Sequence, residues 1–220
     1  MMNRLRNCDG NEDLVAAARA GNIDELHYLL AHVKPLYSAD LALRAAAEKG
    51  HVECLRILLP HCDLAPQIDS ALEMAALYGH VECVKLLMTV INPKANGSRA
   101  LGNAASAGRL ECVRVLLAAS DPNADDGKTF FKAAMRGEKA CLEALIPFMR
   151  SEYFDGALYW AAKNGHLEVV TRLIPLSNPR AKGIAAPSRQ HRAKIPPKVQ
   201  SQRKGPLPFF PPPHNPEYPA

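Results

Sequence analysis

The chain has 220 residues, 48% hydrophobic and 22% charged, an ordinary balance for a soluble globular protein. Aromatic residues make up only 6%, so the core has to be built from Leu, Val, Ile and Ala, and no apolar run reaches the roughly 18 residues that span a bilayer. The pI of 8.9 belongs to one end: residues 177–220 carry eight Lys and Arg against the single acid Glu217, a net +7 that leaves −2 for the rest, so pI alone gives no reason to expect nucleic acid.

Residues 1–10 read as a leader. The opening MMNRLRNCDGNED has no apolar segment after its arginines, so no secretory signal is expected. A cytoplasmic location follows as the expectation, with a nuclear one as the alternative, and the six cysteines should be reduced. From residue 11 to 176 one pattern repeats. A glycine recurs at Gly21, Gly50, Gly79, Gly108, Gly137 and Gly165, with a spacing of 29 that closes to 28 in the last step.

Aligned on that glycine, each copy predicts two helices. Seven residues before it stand Leu14, Leu43, Leu72, Leu101, Phe130 and Leu158. Four and three before it stand two alanines in every copy, from Ala17-Ala18 to Ala161-Ala162. Together these make one helical face, small enough for a neighbouring helix to come close. Ten before it, Asn11, Asp40, Asp69, Ser98, Gly127 and Asp155 are types that favour a helix N-cap. The glycine itself suits a left-handed residue ending the helix. In the second helix the apolar stripe falls five, eight and nine residues after the glycine, as in Leu55, Leu58 and Leu59 or Val170, Leu173 and Ile174. Pro60, Pro147 and Pro175 stop it at a common position. The fold class expected is all-α, six helix-turn-helix units stacked so that each covers its neighbour's stripe.

Segments such as Ala71-Leu72, Ala75-Ala76 and Gly79-His80-Val81-Glu82-Cys83-Val84-Lys85-Leu86-Leu87 resemble ankyrin repeats, as does Gly165-His166-Leu167-Glu168-Val169-Val170. The tetratricopeptide alternative has a period of about 34 and a first-helix signature that fits less well. Two departures stand out. The period is 29 against about 33, which predicts reduced β-turn fingers, and the T-P-L-H opening is absent, with Ser70-Ala71-Leu72-Glu73 in its place. Copy five diverges most, with Lys139 where the others are Ile, Val or Leu, and Gly102 inside the first helix of copy four costs about 1 kcal/mol relative to Ala. The array is expected to be weakest at these two copies.

Four cysteines share one repeat position, Cys54, Cys83, Cys112 and Cys141, where the last copy has Val169. Stacked helices lie about 8–10 Å apart, beyond the reach of disulfides, so the row reads as small apolar packing. Cys54, His61 and Cys62 form no spacing typical of a structural zinc site. His51, His80 and His166 follow the repeat glycine without an acid or nucleophile at a matching spacing, and read as ordinary turn residues. No nucleophile elbow, zincin, phosphate-loop or dinucleotide motif occurs. No enzyme, metal or cofactor is expected.

The ankyrin resemblance implies a concave binding face on the connectors and the exposed end of each first helix. The two residues before each glycine vary between copies, and the candidate partner contacts are Glu48, Lys49, Leu77, Tyr78, Met135, Arg136, Lys163 and Asn164. Tyr, Met and Arg among them are types favoured at interface cores. Phe130, Phe131, Tyr159 and Trp160 are candidate aromatic anchors. The expected function is a non-enzymatic adaptor with a protein partner. The alternative is a nucleic-acid-binding or nuclear-targeted factor acting through the basic tail.

Residues 177–220 hold eleven prolines and no periodicity, and read as a disordered tail. Its stretch from Arg189 to Lys204 suits RNA, anionic lipid or an import receptor, or is a solvated linker. Phe209-Phe210-Pro211-Pro212-Pro213 resembles a ligand of proline-recognising domains and Asn215-Pro216-Glu217-Tyr218 an adaptor-binding turn. The last helix keeps its apolar stripe, so the end of the array is expected to be covered by the tail, through Leu207 and Phe209-Phe210, or by another molecule.

Overall fold

Two alanines set close together on one helix face let the next helix approach, and six such faces in series give a stack. The computed structural model describes residues 10–32, 38–62, 66–90, 93–94 and 98–177. Six first helices run α1 (Gly10–Ala20), α3 (Ser38–Lys49), α5 (Pro66–Tyr78), α7 (Arg99–Ser106), α9 (Lys128–Arg136) and α11 (Phe154–Lys163). The second helices are α2 (Ile23–His32), α4 (Val52–Leu58), α6 (Val81–Leu87), α8 (Leu110–Leu117), α10 (Lys139–Leu145) and α12 (Leu167–Leu173). Each first helix packs on the next first helix and each second on the next second, so the array is two helices deep. The core is one cluster drawn from all six copies. The alanine pairs and the Leu or Phe seven before the glycine line it, with Leu43, Leu101 and Phe130 at 0% exposure.

All six repeat glycines take the left-handed conformation, with φ between 71° and 89°. The alanines act there a second time, through their carbonyls. In every copy the residue after the glycine donates its N–H to the first alanine, as His80 does to Ala75 at 2.9 Å and Glu138 to Ala133 at 3.0 Å. This six-to-one bond is the Schellman ending that satisfies an orphan helix carbonyl.

The N-cap expectation needs correction. Asp40, Asp69 and Asp155 lie inside the first turn of α3, α5 and α11, and Asn11 lies inside α1. There the aspartates are placed to face the positive end of the helix dipole. Ser98 and Gly127 do stand at the N-cap, but no side-chain cap bond forms. The Ser98 hydroxyl instead accepts the N–H of Asp121 in the following connector, at 3.0 Å.

Connectors are tied to one another in the same way farther along. Asn123 donates Nδ2–H to the Phe148 carbonyl at 2.8 Å and accepts the Arg150 N–H through Oδ1 at 3.1 Å. No strand occurs among the described residues, so side-chain bonds do the work that paired fingers would otherwise do. Pro60 and Pro147 end their α-helices as expected, each opening a short 3-10 turn, Leu59–His61 and Ile146–Phe148.

Copies four to six carry their own devices. Gly102 is buried, and a Cβ placed there would lie 3.2 Å from the Thr129 hydroxyl of the next copy, so its small size serves close approach. Phe130 meets Phe154 edge-to-face at 5.4 Å, and Phe131 meets Tyr153 in the same manner at 5.9 Å. Lys139, the odd residue of copy five, reaches Glu168 of copy six at 3.2 Å, and Glu143 reaches Arg172 at 2.6 Å. These pairs run between copies. In copies two, three and four the corresponding pairs stay within a helix, as Glu53–Arg56, Glu82–Lys85 and Glu111–Arg114. At the end of the array Leu158 and Ala162 are only partly buried, and Leu167 and Ile174 are 55% and 57% exposed. Leu207, Phe209 and Phe210, expected to cover them, lie outside the described residues, as do the other tail motifs.

Candidate protein-binding face

The residues before each glycine gather at the C-terminal ends of α3, α5, α9 and α11. Lys49, Tyr78, Arg136, Lys163 and Asn164 are exposed there, while Glu48, Leu77 and Met135 are half-buried. Glu48 and Lys49 pair with each other at 3.1 Å. Asn164 donates Nδ2–H to the Trp160 carbonyl at 2.8 Å, closing the end of α11.

One feature of this edge was not legible from the side chains. His51 bonds through Nε2 to the Arg19 carbonyl at 3.2 Å, His80 to Glu48 at 2.9 Å and His166 to Met135 at 2.8 Å. A carbonyl only accepts, so these bonds require the proton on Nε2. In copy four Arg109 does the same through Nε, to the Leu77 carbonyl at 3.2 Å. The residue after the glycine thus latches each copy to the one before it, always on the carbonyl two residues ahead of the previous glycine. Side chains at that position are free to vary because the contact uses the backbone. In copy one the equivalent residue, Asn22, caps α2 through Oδ1 to the Glu25 N–H. Copy five has Glu138, whose carboxylate has no hydrogen to donate when ionised and instead lies against Gly108.

The aromatic anchors divide. Phe130 is wholly buried and is unavailable to a partner. Phe131 is half-buried against Tyr153. Tyr159 is 40% exposed and meets Trp160 edge-to-face at 5.5 Å, with the Lys163 ammonium 4.7 Å from the Trp160 ring centre. Tyr78, 46% exposed, stacks on the latching His80. Also on the outer side of the first helices are Leu41, Arg44 and Lys132, all exposed, which the focus on the pre-glycine pairs passed over. Their signal was available: they lie opposite the Leu and Ala stripe on the helical wheel.

The cysteine row is packing. Cys54, Cys83, Cys112 and Cys141 are each 1% exposed and unbridged, and Val169 matches them at 1%. Burial pushes the Cys83 and Cys141 thiols up to about 11 and raises Cys54 and Cys112 as well, which keeps all four protonated and unreactive near neutral pH. Among the described residues no cluster of His, Cys, Asp and Glu is placed to hold a metal ion, and no helix is long and apolar enough to cross a membrane.

Paired helices stacked in register around a continuous core, each first helix ended by a left-handed glycine and four of the five junctions latched by His or Arg, define a helical repeat protein. Residues 62–126 match the family of ankyrin repeats (3 copies), so these repeats are ankyrin repeats. The two helix pairs on each side share their pattern and packing. No curated protein matches the chain. Ankyrin repeats are in general protein–protein interaction modules.

Proposed function

We propose that this array is a non-enzymatic adaptor of the cytoplasm that binds a partner protein across copies two to six. The contact falls at the C-terminal ends of the first helices, where Lys49, Tyr78, Arg136 and Lys163 are exposed. The observation that carries this reading is the latch: backbone carbonyls hold the copies together at this edge, so the side chains beside them are free for recognition. A large exposed Tyr and an Arg on such an edge are the residue types that dominate binding energy at interfaces.

The test is affinity capture with the full chain and with its Tyr78→Ala/Arg136→Ala variant. A specific co-purifying protein should be lost, or weakened at least tenfold, in the variant and kept by an Arg56→Ala/Lys85→Ala control on the second helices. Equal recovery with both variants would overturn the assignment. The rival reading, nucleic-acid binding through the basic residues after 177, predicts instead a steep loss of RNA or DNA binding with salt.

A further inference from the structure

We infer that the exposed side of α9, with the adjoining end of α11, is a site for an extended acidic segment of a partner protein. This rests on the proposed partner-binding role and adds the chemistry of the partner. Helix α9 reads KTFFKAAMR, and its three charged residues, Lys128, Lys132 and Arg136, are all basic and exposed. They fall at i, i+4 and i+8, in one line along the helix.

On the other helices most basic residues are paired, with Arg19, Arg44 and Lys163 the exceptions, and no other helix carries three unpaired cations. On the second helices Arg56, Lys85 and Arg114 each have a glutamate three residues earlier within 3.4 Å. Arg99, on the neighbouring first helix, pairs with Glu73 at 3.3 Å. Among the described residues Lys128, Lys132 and Arg136 form no ion pair, and the acids nearest in sequence, Asp125, Asp126 and Glu138, do not supply one. Like charges at i, i+4 repel. The stripe therefore destabilises its own helix until an anion arrives, although residues 1–176 as a whole carry a net −2 with the stripe counted.

The spacing selects the anion. Four helical residues advance about 6 Å, and two residues of an extended chain advance about 6.7 Å. A segment with an acid at every second position can lie along α9 and meet the three cations in turn. The Lys132 ammonium already leans across the neighbouring helix, 3.9 Å from where a Gly102 side chain would begin. Lys163, over Trp160, extends the positive edge onto α11.

A single-stranded nucleic acid would also meet positive charge here, but it binds by stacking bases on open aromatic faces. Those faces are taken. Trp160 carries the Lys163 ammonium, and Phe131 lies against Gly156 at 2.8 Å from a built Cβ and against Tyr153. The occupant argued for is an acidic peptide.

The experiment titrates a (Glu-Val)5 peptide into the full chain at low salt and follows emission from Trp160, its one tryptophan. A saturable change is expected, absent with (Gln-Val)5. The residues after 177 are basic too, so the deciding comparison is with Lys128→Ala/Lys132→Ala/Arg136→Ala, which keeps them. Affinity should fall at least tenfold in that variant and stay unchanged in Arg56→Ala/Lys85→Ala/Arg114→Ala. The single change Lys132→Glu, at an exposed position, should weaken binding in the same sense if the triple variant loses helix. No saturable change, affinity in both the triple and the single variant equal to that of the unsubstituted chain, or tighter binding of oligouridylate with the same dependence on α9 would each overturn the inference. If Tyr78→Ala/Arg136→Ala still releases a captured protein while the peptide ignores α9, the partner-binding reading stands and the acidic segment falls.

Discussion

The imidazole of His80 bonds through Nε2 to the carbonyl of Glu48, 32 residues earlier, at 2.9 Å. The same ring lies over Gly50, so a Cβ on that glycine would come 2.5 Å from its Nδ1. One side chain thus fixes both the spacing and the rotation of two successive copies, and makes glycine obligatory at the junction for two separate reasons.

The first consequence concerns the copy that lacks a donor. Glu138 stands where His51, His80, Arg109 and His166 donate to the preceding copy, and the matching carbonyl is that of Ser106. Glu138→His should add the missing bond and stabilise the array by about 1 kcal/mol, the net contribution of one such hydrogen bond. Urea unfolding should show a higher midpoint with an unchanged slope. A lower midpoint would mean that the carboxylate contributes something at Gly108 that the latch does not replace.

Glycine substitutions should separate backbone strain from steric conflict. Gly165 has φ +78° but nothing within 4 Å of a built Cβ, so Gly165→Ala should cost only the left-handed backbone, about 1–2 kcal/mol. Gly50→Ala has φ +80° and must also displace the His80 ring, losing its bond to Glu48. Its cost should exceed that of Gly165→Ala by about 1 kcal/mol or more. Equal losses in thermal unfolding would show that the ring moves aside freely.

The buried thiols predict a loss of stability in alkali. Cys83 and Cys141 rise from the ordinary 9.0 to about 11 through burial, so the unfolded chain releases their protons at lower pH than the folded one. A proton held more tightly by the folded state stabilises it fully below pH 9 and progressively less as pH rises toward 11. Each cysteine contributes on the order of 2 kcal/mol across that window. Val169 fills the same position equally buried, so Cys83→Val/Cys141→Val should keep the fold and flatten the decline. An unaltered pH profile in denaturant unfolding would remove the thiols from the explanation.

Most of the stack is legible in the sequence because side-chain identity carries it. In copies one to five the alanine pairs, the Leu or Phe seven before the glycine and the Cys54 row are buried in register, and each had to be small or apolar to fit. What was missed uses the backbone or crosses between copies. Histidine after the glycine reads as a turn residue until its partner, a carbonyl 31 or 32 residues away, comes into view. Asp40 and Asp155 read as caps, yet their helices begin one or two residues earlier, at Ser38 and Phe154, since a helix start shifts cheaply within the first turn. Lys139 reads as a defect of copy five, and is answered by Glu168 of copy six. At the candidate face Tyr78, Arg136 and Lys163 are exposed, whereas the unpaired stripe of α9 emerged only once the ion pairs of the neighbouring helices were located.

The most direct measurement is amide hydrogen exchange of the chain alone and in complex with the protein it captures. The account predicts slowed exchange concentrated at the ends of α5, α9 and α11, near Tyr78, Arg136 and Lys163, with α6, α8 and α10 unchanged. Protection confined to those second helices, with the first-helix ends exchanging as in the free chain, would contradict it.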